Sequence, residues 1–162
     1  MARILIVEDN AANLELLRYL LEAHGHTVGC AVDGREGLLR ARTSPPDLIL
    51  SDLRMPEMDG YELLLEVRND PALREVVVIA VTAHSMPEDA VRVRRAGFDG
   101  YLTKPIEPLE FVARVESFLA APRRRVDSAR QSPARRLGDR HRYRRWQRPY
   151  RLSPQRRWRW LS

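Results

Sequence analysis

The chain has 162 residues with 28 basic and 22 acidic side chains, a net charge of +6 at pH 7. That length admits one ordinary domain with an appendage and hardly two full cores. A lone cysteine, Cys30, excludes an internal disulfide framework, and no apolar run reaches the roughly 18 residues of a membrane span or forms a secretory signal, so a cytoplasmic protein without membrane contact is expected.

In chain order, "RILIV" (3–7) is a short apolar run that ends at Glu8 and Asp9 and reads as a strand. Leu14, Leu17 and Leu21, spaced i, i+3, i+7, then mark one face of a helix from about 11 to 24, stopped by Gly25. The pattern repeats as "TVGCA" and "EGLLRAR", "DLILSD" and "GYELLLEVRN", "VVVIAVTA" and "EDAVRVRRA", and "GYLTK" and "PLEFVARVESFL". Near-continuous apolar strands such as "VVVIAV" suit a parallel sheet covered on both faces, with the helices as crossovers. The predicted fold class is α/β, doubly wound, with five βα units.

Open parallel sheets bind ligands at the carboxyl ends of their strands. Four of the predicted strands end in polar residues: Glu8 and Asp9, Asp52, Thr82 with Ala83, and Thr103 with Lys104. Three carboxylates would share one edge. Two like charges about 4 Å apart repel by roughly 4 kcal/mol at an effective dielectric near 20, so such a site calls for a cation. Oxygen-only ligands favour Mg²⁺ or Mn²⁺, and a soft-metal site lacks Cys or His partners. Lys104 is the only lysine in the chain, beside 27 arginines, which marks a position where a compact ammonium is wanted.

The stretches "ILIVEDN", "PDLILSDLRMPEMDG", "AVTA" and "GYLTKPIEP" resemble a response-regulator receiver domain of the CheY-like superfamily, the phosphoacceptor module of bacterial two-component signalling. The resemblance covers residues 3 to about 120 and implies a flavodoxin-like (βα)5 sheet of strand order 2-1-3-4-5. It implies Asp52 as the phosphoacceptor, taking a phosphoryl group from a histidine kinase or a histidine phosphotransfer protein. Mg²⁺ or Mn²⁺ would be held by Asp9, Asp52, Glu8 through a water, and the main-chain carbonyl of Arg54. Lys104 and Thr82 would bind the phosphoryl oxygens, Ala83 would leave room for water or a partner, and Pro105 would follow a cis peptide. Tyr101 is either a half-buried strand aromatic or a switch that moves inward with Thr82. Asp59 and Gly60 shape the loop after the acceptor and cap the third helix, and His84 reads as a surface loop residue. No enzyme activity is implied beyond the domain's own phosphorylation and dephosphorylation. The output would pass through the fourth helix, fifth strand and fifth helix to an unidentified protein.

"VEDNAANLELLRYLLEAHGHTV" and "TKPIEPLEF" are most similar to stand-alone regulators of the DivK type and to receivers of hybrid kinases. A stand-alone phosphorelay regulator, monomeric or weakly dimeric, is the better reading, because no kinase core or output domain fits in the remaining residues.

Those residues differ sharply in charge. Residues 121–162 hold 15 Arg and 2 acids, a balance of +13, whereas residues 1–120 hold 13 basic and 20 acidic residues, a balance of −7. The division predicts a receiver at 1–120 and an Arg/Trp-rich tail at 121–162. Without hydrophobic periodicity the tail is expected to be disordered. Arg interleaved with Trp146, Trp158 and Trp160 suits phosphate contact and base stacking, so the alternative function is a nucleic-acid-binding protein whose acidic domain gates this tail. An intramolecular role against the acidic domain, or no selected role, stays open.

Overall fold

The computed structural model of the chain describes residues 1–83 and 86–121; the expectations placed on His84 and on residues 122–162 lie outside them. Strand and helix alternate: β1 (Arg3–Val7), α1 (Ala11–Ala23), β2 (Thr27–Ala31), α2 (Gly34–Thr43), β3 (Leu48–Asp52), α3 (Gly60–Asn69), β4 (Val77–Thr82), α4 (Pro87–Ala96), β5 (Gly100–Thr103) and α5 (Pro108–Ala120). The fourth strand starts one residue later than its apolar run, because the Val76 amide donates to the Leu73 carbonyl in the preceding turn.

All strand pairs are parallel, in the order β2-β1-β3-β4-β5. Successive side chains on a strand point to opposite faces, so a sheet covered on both sides needs apolar residues at nearly every strand position. Leu5, Val7, Ile49, Val78 and Ala80 pack on one side with α2, α3 and α4, through Leu38, Leu63, Leu64, Val67 and Val93. Ile4, Ile6, Leu48, Leu50, Ile79, Val81 and Leu102 pack on the other with Leu17 and Leu21 of α1 and Phe111, Val112 and Val115 of α5. Each fully buried aliphatic side chain contributes about 1.5–3 kcal/mol of transfer free energy, which fixes the register of the central strands.

Three helices begin with a side-chain cap placed shortly after a strand. Asn10 accepts from the Asn13 amide, Asp33 from the Glu36 amide, and Asp59 from the Glu62 amide, with Glu62 returning the bond to the Asp59 amide as a capping box. The helices α4 and α5 start instead on Pro87 and Pro108 without a side-chain cap. No helix among the described residues is long and apolar enough to cross a membrane.

Candidate functional site

The ladder registers bring the strand ends to one edge: Val7 lies opposite Ser51, Asp52 opposite Val81, and Thr82 opposite Thr103. Glu8 and Asp9 follow β1 and Lys104 follows β5, so each leaves the sheet beside Asp52 or Thr82. Carboxylate oxygens of Glu8, Asp9 and Asp52 lie within 4.8 Å of one another. Lys104 Nζ stands between two of them, 2.8 Å from Glu8 Oε2 and 3.2 Å from Asp52 Oδ2.

Burial grades the three acids. Glu8 is 1% exposed, Asp52 is half-buried and Asp9 faces solvent. Glu8 is satisfied at both oxygens, since Oε1 accepts from the Asn10 amide at 3.1 Å and Oε2 from Lys104. Burial nevertheless pushes its carboxyl above the ordinary carboxylate range, the Asp52 charge adding to the effect and the Lys104 and Asn10 bonds opposing it. For Lys104 burial acts downward, but the hydrogen bond to Glu8 and the charge of Asp52 outweigh it and hold the ammonium above its usual range. One cation serving three carboxylates leaves negative charge in surplus.

Asp52 is fixed at both oxygens and at its backbone. Oδ1 accepts from the Arg54 amide at 3.2 Å, Oδ2 from Lys104, and the main-chain carbonyl from the buried Ser51 hydroxyl at 2.9 Å. Ser51 was not foreseen as part of the site; its signal was a polar residue at a core position of "DLILSD". Gly60 has a reason the sequence also hid, because a Cβ there would collide with the Asp52 carbonyl oxygen.

Thr82 is buried, and its carbonyl accepts the Lys104 amide at 2.8 Å, which ties the ends of β4 and β5 together. The Lys104–Pro105 peptide is cis. Ala83 is exposed. Tyr101 sits apart from the acids, half-buried against the core on the α2–α3–α4 side, with its carbonyl accepting from Arg114 at 3.1 Å. Arg54 is exposed and joins the site through its amide.

The donor set fits a hard divalent cation: every ligand atom is a carboxylate oxygen, the three acids are close enough to share an ion, and two of them are open to water. A carboxylate, an ammonium touching it and a surplus of negative charge that a cation could neutralise are the parts a phosphoryl acceptor needs.

A family model described as the response regulator receiver domain matches residues 4–116. The chain is similar to the polar-differentiation response regulator DivK of Brucella anthropi, 41% identical over 116 residues that span 72% of this chain and 94% of that protein. Among solved structures it is similar to the signal receiver domain of a signal transduction histidine kinase from Syntrophus aciditrophicus, with a TM-score of 0.69, 38% identity, and coverage of 76% of this chain and 94% of the other. It is also similar to the receiver domain of a sensor histidine kinase from Pseudomonas aeruginosa, a structure with a magnesium ion coordinated in the active-site cleft, at a TM-score of 0.68, 32% identity, and coverage of 74% and 98%.

Proposed function

The chain belongs to the response regulator receiver domain family, and we propose that it is a DivK-like phosphorelay regulator that takes a phosphoryl group on Asp52. The observation that carries the reading is Asp52 Oδ2 at 3.2 Å from Lys104 Nζ inside a cluster of three carboxylates. On this reading residues 1–120 are the phosphoacceptor unit and residues 121–162 an appendage to it.

Glu8, Asp9, Asp52 and the Arg54 carbonyl would hold Mg²⁺ or Mn²⁺, which when bound neutralises the acids and the charge of the transferring group. The donor is a phosphohistidine of a kinase or phosphotransfer protein. An oxygen of Asp52 bonds to phosphorus while the phosphorus–nitrogen bond breaks, and the electron pair stays on the imidazole, which takes a proton from water. Lys104 exchanges its hydrogen bond to Asp52 for one to a phosphoryl oxygen, and the Thr82 hydroxyl donates to another. Attack of water on phosphorus breaks its bond to the Asp52 oxygen and returns the free carboxylate and inorganic phosphate, with exposed Ala83 offering only a methyl group as obstacle. The chemistry is confined to the chain's own aspartate, so no other substrate is turned over. The phosphoaspartate then carries about −2, and drawing Thr82 toward it biases α4, β5, Tyr101 and α5 toward a second arrangement that a cytoplasmic output protein reads.

Intact-mass measurement after incubation with acetyl phosphate and Mg²⁺ tests this. The full chain should gain one phosphoryl group, and Asp52→Asn or Mg²⁺ chelation should abolish the gain. Equal phosphorylation of Asp52→Asn would remove Asp52 from the reaction.

A further inference from the structure

Three polar or charged side chains are buried among the described residues, those of Glu8, Ser51 and Thr82. The proposed chemistry draws on Glu8 and Thr82 and leaves Ser51 without a role. In the sheet Ser51 lies between Val7 of β1 and Ala80 of β4, both wholly buried and apolar. An alanine there would bury no hydroxyl, so the serine is explained only by what its hydroxyl bonds. Its Oγ donates to the main-chain carbonyl of the next residue, Asp52, at 2.9 Å.

That carbonyl belongs to the first of the two peptide groups that lead from Asp52 to Arg54. A peptide group is planar and turns as a unit, so fixing its oxygen fixes the direction in which the chain leaves Asp52. Gly60 closes the other side, since a Cβ on it would collide with the same oxygen. The second peptide group is tied at both polar atoms: the Leu53 carbonyl accepts from the Gly60 amide at 3.1 Å, and the Arg54 amide donates to Asp52 Oδ1 at 3.2 Å. Ser51 is thus the first tie in a short series that ends at Arg54. It makes that tie from β3, a rigid central strand, rather than from the loop.

We infer that Ser51 is a positioning residue of this site: its hydroxyl holds the Asp52–Leu53 peptide group so that the Asp52 carboxylate and the Arg54 carbonyl are set for one cation. This rests on the proposed function and adds to it a residue that acts through the backbone alone. Groups that orient metal ligands typically contribute about 10–100-fold to affinity, because they fix ligand direction before the ion arrives. A neutral hydroxyl acting through one peptide group belongs at the lower end of that range. A serine that merely satisfied a carbonyl would contribute to stability and leave ion affinity untouched.

The test compares the full chain with Ser51→Ala and with Ser51→Thr, which keeps the hydroxyl. Mg²⁺ titration followed by amide chemical shifts should give a dissociation constant about tenfold higher for Ser51→Ala, and Ser51→Thr should recover most of the loss. In the metal-free protein, hydrogen exchange at the Arg54 and Gly60 amides should quicken in Ser51→Ala relative to that at Val7 and Val81. The inference is overturned if Ser51→Ala binds Mg²⁺ within about twofold of the wild type, whatever its urea midpoint, or if the wild type binds no Mg²⁺. It is also overturned if Ser51→Thr folds with wild-type stability yet recovers no affinity. Acetyl phosphate labelling keeps the two readings apart. A wild type that shows the Ser51 dependence of Mg²⁺ binding but gains no phosphoryl group keeps the positioning role and removes Asp52 as acceptor. A wild type that is labelled, with Ser51→Ala equal to it in labelling rate and Mg²⁺ affinity, removes the positioning role alone.

Discussion

The two ends of the sheet handle charge in opposite ways. At the carboxyl end three acids cluster beside one ammonium that bonds two of them, and a buried carboxyl is pushed above its ordinary range. At the amino end Arg68 of α3 donates to the carbonyls of Arg74, Val76 and Gly97 at 3.1, 2.7 and 3.2 Å and to Asp99 Oδ2 at 2.9 Å. Asp99 in turn accepts the Val78 amide at 2.8 Å. That one guanidinium joins α3, the approach to β4, the end of α4 and the entry to β5. The same strands thus end in a balanced network on one side and an unbalanced one on the other, and the surplus negative charge is what a bound cation would relieve. On the proposed function, stability resides in the amino end and reactivity in the carboxyl end.

Arg68→Met attacks the balanced end and has the largest expected effect. It takes the guanidinium from the Asp99 carboxylate, which keeps the Val78 amide, and from three carbonyls, at a cost of about 2–4 kcal/mol, below the figure for a fully buried pair because the two side chains keep 18% and 22% exposure. Urea unfolding measures the loss, and the folded fraction should still take up one phosphoryl group with unchanged stoichiometry. A loss under about 0.5 kcal/mol would place Arg68 among ordinary surface ion pairs and dissolve the contrast.

Gly60→Ala probes where the two roles meet, since Gly60 opens α3 and its amide donates to the Leu53 carbonyl at 3.1 Å, one residue past Asp52. The added methyl meets the Asp52 carbonyl oxygen and, at 3.0 Å, the Leu53 Cα. Backbone must move, at about 1–3 kcal/mol. Because a displacement near 1 Å can cost about a hundredfold in rate, acetyl phosphate labelling should slow by roughly tenfold or more. A stability loss without slower labelling would mean that the acceptor loop adjusts independently of α3.

Much of this contrast was legible in the sequence, and unevenly. The acidic strand ends stood out because an apolar run that stops at a charged residue breaks the pattern of a covered strand, and Lys104 stood out as the only lysine. Five βα units followed from the same runs, whereas the sheet order came from the resemblance to receiver domains. The Arg68 network could not be read, because its partner Asp99 is 31 positions away and neither residue sits in a motif. Nor could the left-handed backbone of Glu57, φ 69°, in the loop after Asp52, since glutamate has no preference for that conformation. Glu8 was legible as an acid near Asp52 but not as a residue 1% exposed and paired with Lys104, 96 positions away.

Glu8→Gln addresses the unbalanced end and has the smallest expected effect. The folded-state pKa of Glu8 is raised above the ordinary 4.5, first by burial, so folding favours its protonated form. Its stabilising contribution is then full below a pH of about 4.5 and is lost as pH rises through the folded-state value. Glutamine mimics the protonated form at every pH. In the absence of divalent ions the wild type should therefore lose ground to Glu8→Gln as the pH rises from about 4.5 through the folded-state value. Adding Mg²⁺ at ten times its dissociation constant should return about 1.4 kcal/mol to the wild type and less to the variant, which has given up a carboxylate of the cluster. A flat pH difference, or equal Mg²⁺ stabilisation of both proteins, would show that Lys104 alone balances Glu8. The carboxyl end would then be as settled as the amino end, and its surplus charge would be carried by Asp9 and Asp52 alone.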